Sequence, residues 1–218
     1  MRDSDIYRVW PLLKARVRSL RVPWLEIMAA REKDPFKVLI SCILSLRTQD
    51  DTTGAASERL FDLASDPEAM ASLSVSSIQR AIYPVGFYNV KARTIKALSE
   101  TITSQYRGTV PDSIEELLKL KGVGRKTANL VITRGFNKYG ICVDTHVHRI
   151  TNRWGYIRTK TPEKTEFALR EKLPRKYWRE INGLLVAFGQ HICKPLSPFC
   201  SKCDLDRFCE KVNVTRHR

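Results

Sequence analysis

The sequence predicts an all-α protein, and three observations predict it. Apolar residues recur at helical spacing through most of the chain. Several segments begin with an Asp or Ser that can cap a helix and a proline that suits its first turn. The stretches rich in β-branched residues are short and have no alternating neighbour to pair with.

DIYRVWPLLKARVRSL, residues 5–20, carries an apolar stripe at helical spacing, and Pro11 is expected to kink or divide it. DPFKVLISCILSLRTQ, residues 34–49, is apolar nearly all round. Asp34 caps it, Pro35 fits its first turn, and such a helix belongs inside a core. Asp66 and Pro67 open a shorter helix. NVKARTIKALSETITSQY is long and amphipathic and ends near Gly108. PDSIEELLKL has acids in its first turn and starts near Ser113. TPEKTEFALREKL and PRKYWREINGLLVAFGQHI follow, each with a proline-led start. LVIT at 130–133 and ICV at 141–143 are the nearest approach to strands, and both are read as non-strand. About ten helices are expected, with no heptad run and no repeat.

Lys and Arg total 38 against 23 acids, a net charge of +15 and a pI near 9.8. So large an excess attracts a polyanion, and nucleic acid is the first candidate because neutralising phosphates releases counterions. An anionic membrane surface is the second. No window holds the roughly 20 apolar residues of a membrane span, and the N-terminal stretch lacks the apolar run of a secretory leader. A soluble, intracellular protein is expected, in the cytoplasm or at the nucleoid, acting as a monomer.

Four of the six cysteines, Cys193, Cys200, Cys203 and Cys209, lie in the last 26 residues with the spacing C-x6-C-x2-C-x5-C. Four clustered thiols in an intracellular chain call for a metal rather than disulfides. Zinc and an iron–sulfur cluster both take four cysteines. Zinc sites usually show two tight pairs, whereas one is present here, so the spacing leans toward iron–sulfur. Cys42 and Cys142 sit alone in apolar surroundings and read as small hydrophobes.

LKLKGVGRKTANLVI, residues 118–132, reads as helix, tight turn, helix. It is no nucleotide-binding loop: a single residue separates Gly122 from Gly124, and Arg125 intervenes before Lys126. The backbone N–H groups of Gly122, Val123 and Gly124 are not all consumed by the following helix, so they can face an anion such as a DNA phosphate. Lys126 stands at a helix start, which disfavours an ammonium and biases the side chain toward the nucleophilic amine. Asp144 follows eighteen residues later, where an apolar run ends and a helix begins. It can cap that helix, and it can stabilise a developing cation if Lys126 is near. His146 and His148 point in different directions on a helix and make poor joint metal ligands; either can touch a phosphate or cap.

LKGVGRKTANLVI, VDTHVHRITNRWG and the cysteine tail, in that order, resemble the endonuclease III family of the helix-hairpin-helix DNA glycosylases. DPFKVLISCILSLRTQD and VGFYNVKARTI resemble family segments too, so the likeness runs from about residue 30 to 210. The resemblance implies two helical lobes with a central cleft. Residues 1–30 and 136–218 would form the lobe with a C-terminal [4Fe–4S] cluster loop, and 31–135 the lobe with the hairpin. It implies Lys126 as nucleophile, Asp144 as its partner, the hairpin as a phosphate grip with a bound monovalent cation, and the four cysteines as cluster ligands. It implies excision of oxidised pyrimidines from damaged double-stranded DNA, followed by nicking at the abasic site.

The departures from the family pattern bear on lesion preference rather than reaction type. Lys121 stands where proline is frequent, Arg47 where relatives carry a gap-filling glutamine (Gln49 comes two residues later), and Phe87 where a leucine wedge is usual. KPLSPF, between Cys193 and Cys200, has one basic residue. Two other functions fit less well. A mismatch glycosylase acting on uracil or thymine opposite guanine would use activated water and could lack the lysine. A non-enzymatic iron–sulfur DNA-binding protein would need neither Lys126 nor Asp144.

Overall fold

A computed structural model describes residues 1–21 and 24–218, with the side chains of Ala30 and Arg31 left out. Among the described residues there are twelve α-helices and no strand. In chain order they are α1 (Ile6–Arg18), α2 (Trp24–Glu32), α3 (Pro35–Ser45), α4 (Asp50–Leu63), α5 (Pro67–Ser72) and α6 (Val75–Ile82). Then come α7 (Tyr88–Tyr106), α8 (Ile114–Leu117), α9 (Arg125–Leu130), α10 (Thr145–Arg153), α11 (Pro162–Lys172) and α12 (Ile181–His191). None is long and apolar enough to cross a membrane. The helices fall into two compact units, one of Met1–Pro23 with Ile141–Arg218, the other of Trp24–Gly140.

In the second unit α3 is the central helix, packed by α2, α4, α7 and α9. Phe36, Val38, Leu39, Ile40, Cys42, Ile43 and Leu44 are all buried, as an all-round apolar sequence requires. Asp34 caps α3 by accepting from the N–H groups of Phe36 (2.8 Å) and Lys37 (3.1 Å), and Pro35 takes the first position, where no donor is lost. Asp66 and Ser113 cap α5 and α8 in the same way. The helix α7 ends in a left-handed pair, Arg107 and Gly108, whose φ angles are 53° and 74°. The β-branched run after α9 is a π-turn, Val131–Gly135, that continues the helix, and 141–143 is neither helix nor strand.

In the first unit Val9, Trp10, Leu13 and Val17 of α1 pack with Val147, Ile150, Leu169, Leu185 and Phe188 of α10, α11 and α12. Pro11 does not divide α1, which runs unbroken from Ile6 to Arg18 with Pro11 on its exposed face. The start of α12 departs from expectation. Pro174 leads only a 3₁₀ turn, Arg175–Tyr177, and the α-helix begins at Ile181. Side-chain packing takes over this segment. Tyr177 stacks on Trp10 at 4.1 Å between ring centres, Glu180 accepts from Trp10 Nε1 at 2.9 Å, and Trp178 Nε1 donates to the Leu173 carbonyl at 2.8 Å.

Candidate active site and cysteine centre

The hairpin lies between α8 and α9. Gly122 has φ 87°, and a Cβ there would lie 2.7 Å from Thr94 Cγ2, so only glycine fits. Gly124 is different: a Cβ there would meet nothing within 4 Å. The protein itself does not demand that glycine, but a ligand approaching the backbone would. The Val123 N–H is already donated to the Leu120 carbonyl at 3.0 Å, and its side chain is buried. Of the three hairpin N–H groups, therefore, those of Gly122 and Gly124 are the ones open to an anion. Gly124 is the N-cap of α9, and Lys126 is that helix's second residue, half-buried. The charge on Lys126 is felt at the buried Cys42 thiol beneath it, which burial nevertheless pushes up to about 12. Cys42 and Cys142 are both core residues, 3% and 1% exposed.

Arg47 and Phe87 come together on the same unit. The Arg47 guanidinium sits 5.7 Å from the centre of the Phe87 ring, within cation–π range. Both residues are exposed and both have left-handed backbones, with φ angles of 52° and 58°. Phe87 is 62% exposed, so it is no core residue. Arg47, Phe87, Leu46 and Gly122 line one shallow groove. Strained, exposed, bulky residues of this kind cluster where a surface acts on a ligand.

Asp144 is the N-cap of α10 on the first unit. Its Oδ1 accepts from the N–H groups of His146 and Val147, both at 2.9 Å, which leaves Oδ2 for another partner. His146 Nδ1 meets the Arg149 guanidinium at 3.0 Å, while His148 Nδ1 meets Thr165 Oγ1 at 2.7 Å. The two rings diverge, and burial lowers the pKa of His148.

All four clustered cysteines line a single cavity, together with Phe188, Ile192 and Phe199. Burial pushes up the thiols of Cys200, Cys203 and Cys209, that of Cys203 to about 12, and the charges of the neighbouring sulfurs push the same way. Such a set is costly to ionise without a shared cation, and a metal centre reverses that cost. Among the described residues, no three His, Cys, Asp or Glu side chains converge tightly enough for one ion. The Lys211 N–H donates to Cys209 Sγ and the Arg153 guanidinium to Cys193 Sγ, both at 3.4 Å, contacts that would favour negative charge on those sulfurs. Arg153 also binds the Lys194 carbonyl at 2.7 Å, so this buried residue of α10 holds the loop after Cys193.

Two residues escaped sequence reasoning. Arg153 gave no signal. Lys91 did: it lies in line with Ile95, Leu98 and Ile102 on the buried stripe of α7, where a lysine is out of place.

The chain matches the profile of the HhH-GPD superfamily base excision DNA repair proteins over residues 40–175. It is 49% identical over 180 residues to endonuclease III of Thermotoga maritima, covering 83% of this chain and 84% of that protein. Its fold is similar to that of a trapped endonuclease III–DNA covalent intermediate, with a TM-score of 0.85, 29% identity and 97% of each chain covered. A thermostable thymine-DNA glycosylase is also similar, at TM-score 0.83 and 25% identity, covering 96% of this chain and 97% of that one.

Proposed function

The chain belongs to the HhH-GPD superfamily of base excision DNA repair proteins, and from that premise we propose a bifunctional DNA glycosylase and abasic-site lyase acting on oxidised pyrimidines in duplex DNA. The observation that carries the reading is the placement of Lys126. It is the second residue of a helix that opens on an exposed glycine hairpin, one of whose glycines the protein's own packing does not require. A phosphate held by the Gly122 and Gly124 N–H groups, with a monovalent cation at the turn, would bring a deoxyribose to that amine.

The damaged nucleotide leaves the stack, which a lesion makes easier. Lys126 Nζ attacks C1′ and the base departs with the bonding electrons. Positive charge develops on the sugar, and the free oxygen of Asp144 stabilises it. The amine then forms a Schiff base with the opened sugar, and β-elimination breaks the 3′ C–O bond. Arg47 and Phe87 fill the stack that the nucleotide vacates. In this reading the unit of the chain ends carries the cluster and the central unit carries the hairpin and its lysine.

Duplexes bearing an oxidised pyrimidine, uracil opposite guanine, or thymine opposite guanine test it. The expected result is release of the oxidised base with strand nicking. Release of only uracil or thymine, with the strand intact, would instead mark a mismatch glycosylase. Release of nothing would mark a DNA-binding protein.

Cys193, Cys200, Cys203 and Cys209 line one cavity and would hold a [4Fe–4S] cluster, which a spacing with a single tight pair favours over zinc. The cluster would supply a rigid crosslink among loops too short to build a core of their own. The protein isolated under anaerobic conditions should show visible thiolate-to-iron absorbance and about four irons per chain. Cys203→Ser should lose both and unfold in its C-terminal loop; stoichiometric zinc without that absorbance would refute the cluster.

A further inference from the structure

Lys91 projects from the first turn of α7 into the protein and is only 6% exposed. Its ammonium donates to the Leu44 carbonyl at 2.8 Å, the Leu46 carbonyl at 2.5 Å and Thr48 Oγ1 at 3.1 Å. Three donors meet three acceptors, and none of the three acceptors carries a charge. Leu44 lies in the last turn of α3, whose terminal carbonyls have no helical partner and favour a cation. An alkyl side chain would take from the Leu44 carbonyl its buried donor. A carboxylate partner is absent from this set, and burial alone draws Lys91 down to about 8.

The three acceptors flank one residue, Arg47. The same network reaches Phe87. The Gly86 N–H donates to Thr48 Oγ1 at 3.2 Å, and a Cβ on Gly86 would lie 2.6 Å from the Arg47 carbonyl oxygen. The two segments thus touch backbone to backbone, and each presents one exposed left-handed residue, Arg47 from one and Phe87 from the other.

We propose that Lys91 is a positioning residue for duplex opening: its ammonium pins the 44–48 turn so that Arg47 and Phe87 stand together as a preformed two-pronged wedge. The inference rests on the function proposed above and adds a residue that touches neither DNA nor the reacting atoms. Each prong is held in a costly backbone conformation that the free turn would abandon. Lys91 keeps it in place before DNA arrives, so that cost is not charged against extrusion.

The test compares Lys91→Met with wild type on two substrates. One is a fully paired duplex with a central abasic site. The other is the same duplex with the flanking pairs mismatched, so that the site is already unstacked. The wild-type protein must first trap on both with borohydride; if it traps on neither, the proposed function fails and this inference falls with it. If trapping is normal, Lys91→Met should nick the paired duplex about tenfold or more slowly, as misplaced positioning groups do, and the mismatched one within about twofold of wild type. The fluorescence of 2-aminopurine opposite the site, which reports local unstacking, should rise less in the variant. Equal losses on both substrates would mean a merely structural lysine, and no loss on either would mean no role; both overturn the inference. Thr48→Val removes one acceptor and the Gly86 tether, and it keeps the test decisive if Lys91→Met fails to fold. The same selective loss supports the inference, and a parallel or absent loss overturns it.

Discussion

Lys126→Ala should leave no covalent DNA adduct after borohydride reduction, and nicking at an abasic site should fall by at least about a thousandfold, the scale on which losing a covalent nucleophile is felt. Two other lysines of this unit are committed elsewhere. Lys91 spends its ammonium on three internal acceptors. Lys119 is ion-paired with Glu116 on the far side of the hairpin turn. The Cys42 thiol, although it feels the charge on Lys126, is enclosed and held far from ionisation by burial. Folding should survive, because alanine is the better helix former and the lysine is half-buried rather than enclosed. Duplex affinity should weaken by no more than about one phosphate contact in the salt dependence, since the hairpin amides and the remaining basic surface are untouched. An adduct that persisted in this variant would move the chemistry to another amine, and peptide mapping of the trapped product would identify it.

Much of this was readable from the sequence, and the features that were readable share a cause. The caps at Asp34, Asp66, Ser113 and Asp144 satisfy donors two or three residues away, so a short window contains the whole interaction. The hairpin glycines and the cysteine spacing are equally local. What escaped depends on partners far along the chain. Tyr177 and Glu180 are drawn into contacts with Trp10, and the helix that Pro174 should have opened starts at Ile181 instead. Val123 spends its N–H inside the turn, which reduces the hairpin's open donors to those of the two glycines. Phe87 could be read as core or as wedge from composition alone; its left-handed backbone and 62% exposure remove the first choice. Lys91 stood in plain view on an apolar stripe, but its acceptors lie 43 to 47 residues away.

Asp144→Asn should fold, bind duplex DNA and excise its base about a hundredfold or more slowly, comparable to removing a preorganised electrostatic stabiliser from an enzyme site. This substitution separates the capping seen for the side chain from the charge stabilisation proposed for it. The capping function falls on Oδ1, which takes both the His146 and the Val147 N–H groups at 2.9 Å. An asparagine carbonyl oxygen can accept the same pair, and Asn is about as good a cap as Asp. Only the favourable interaction of the charge with the helix start is lost, roughly 0.3–1 kcal/mol, so the melting temperature should move by a few degrees at most. The catalytic function needs the charge itself, because an amide offers a developing sugar cation only a dipole. Asp144→Ala should lose the cap as well and cost about 1 kcal/mol of further stability with no further loss of rate. If the asparagine variant turns over at the wild-type rate while the alanine variant melts early, Asp144 is a helix cap alone and the positive charge at the sugar must be met by another group.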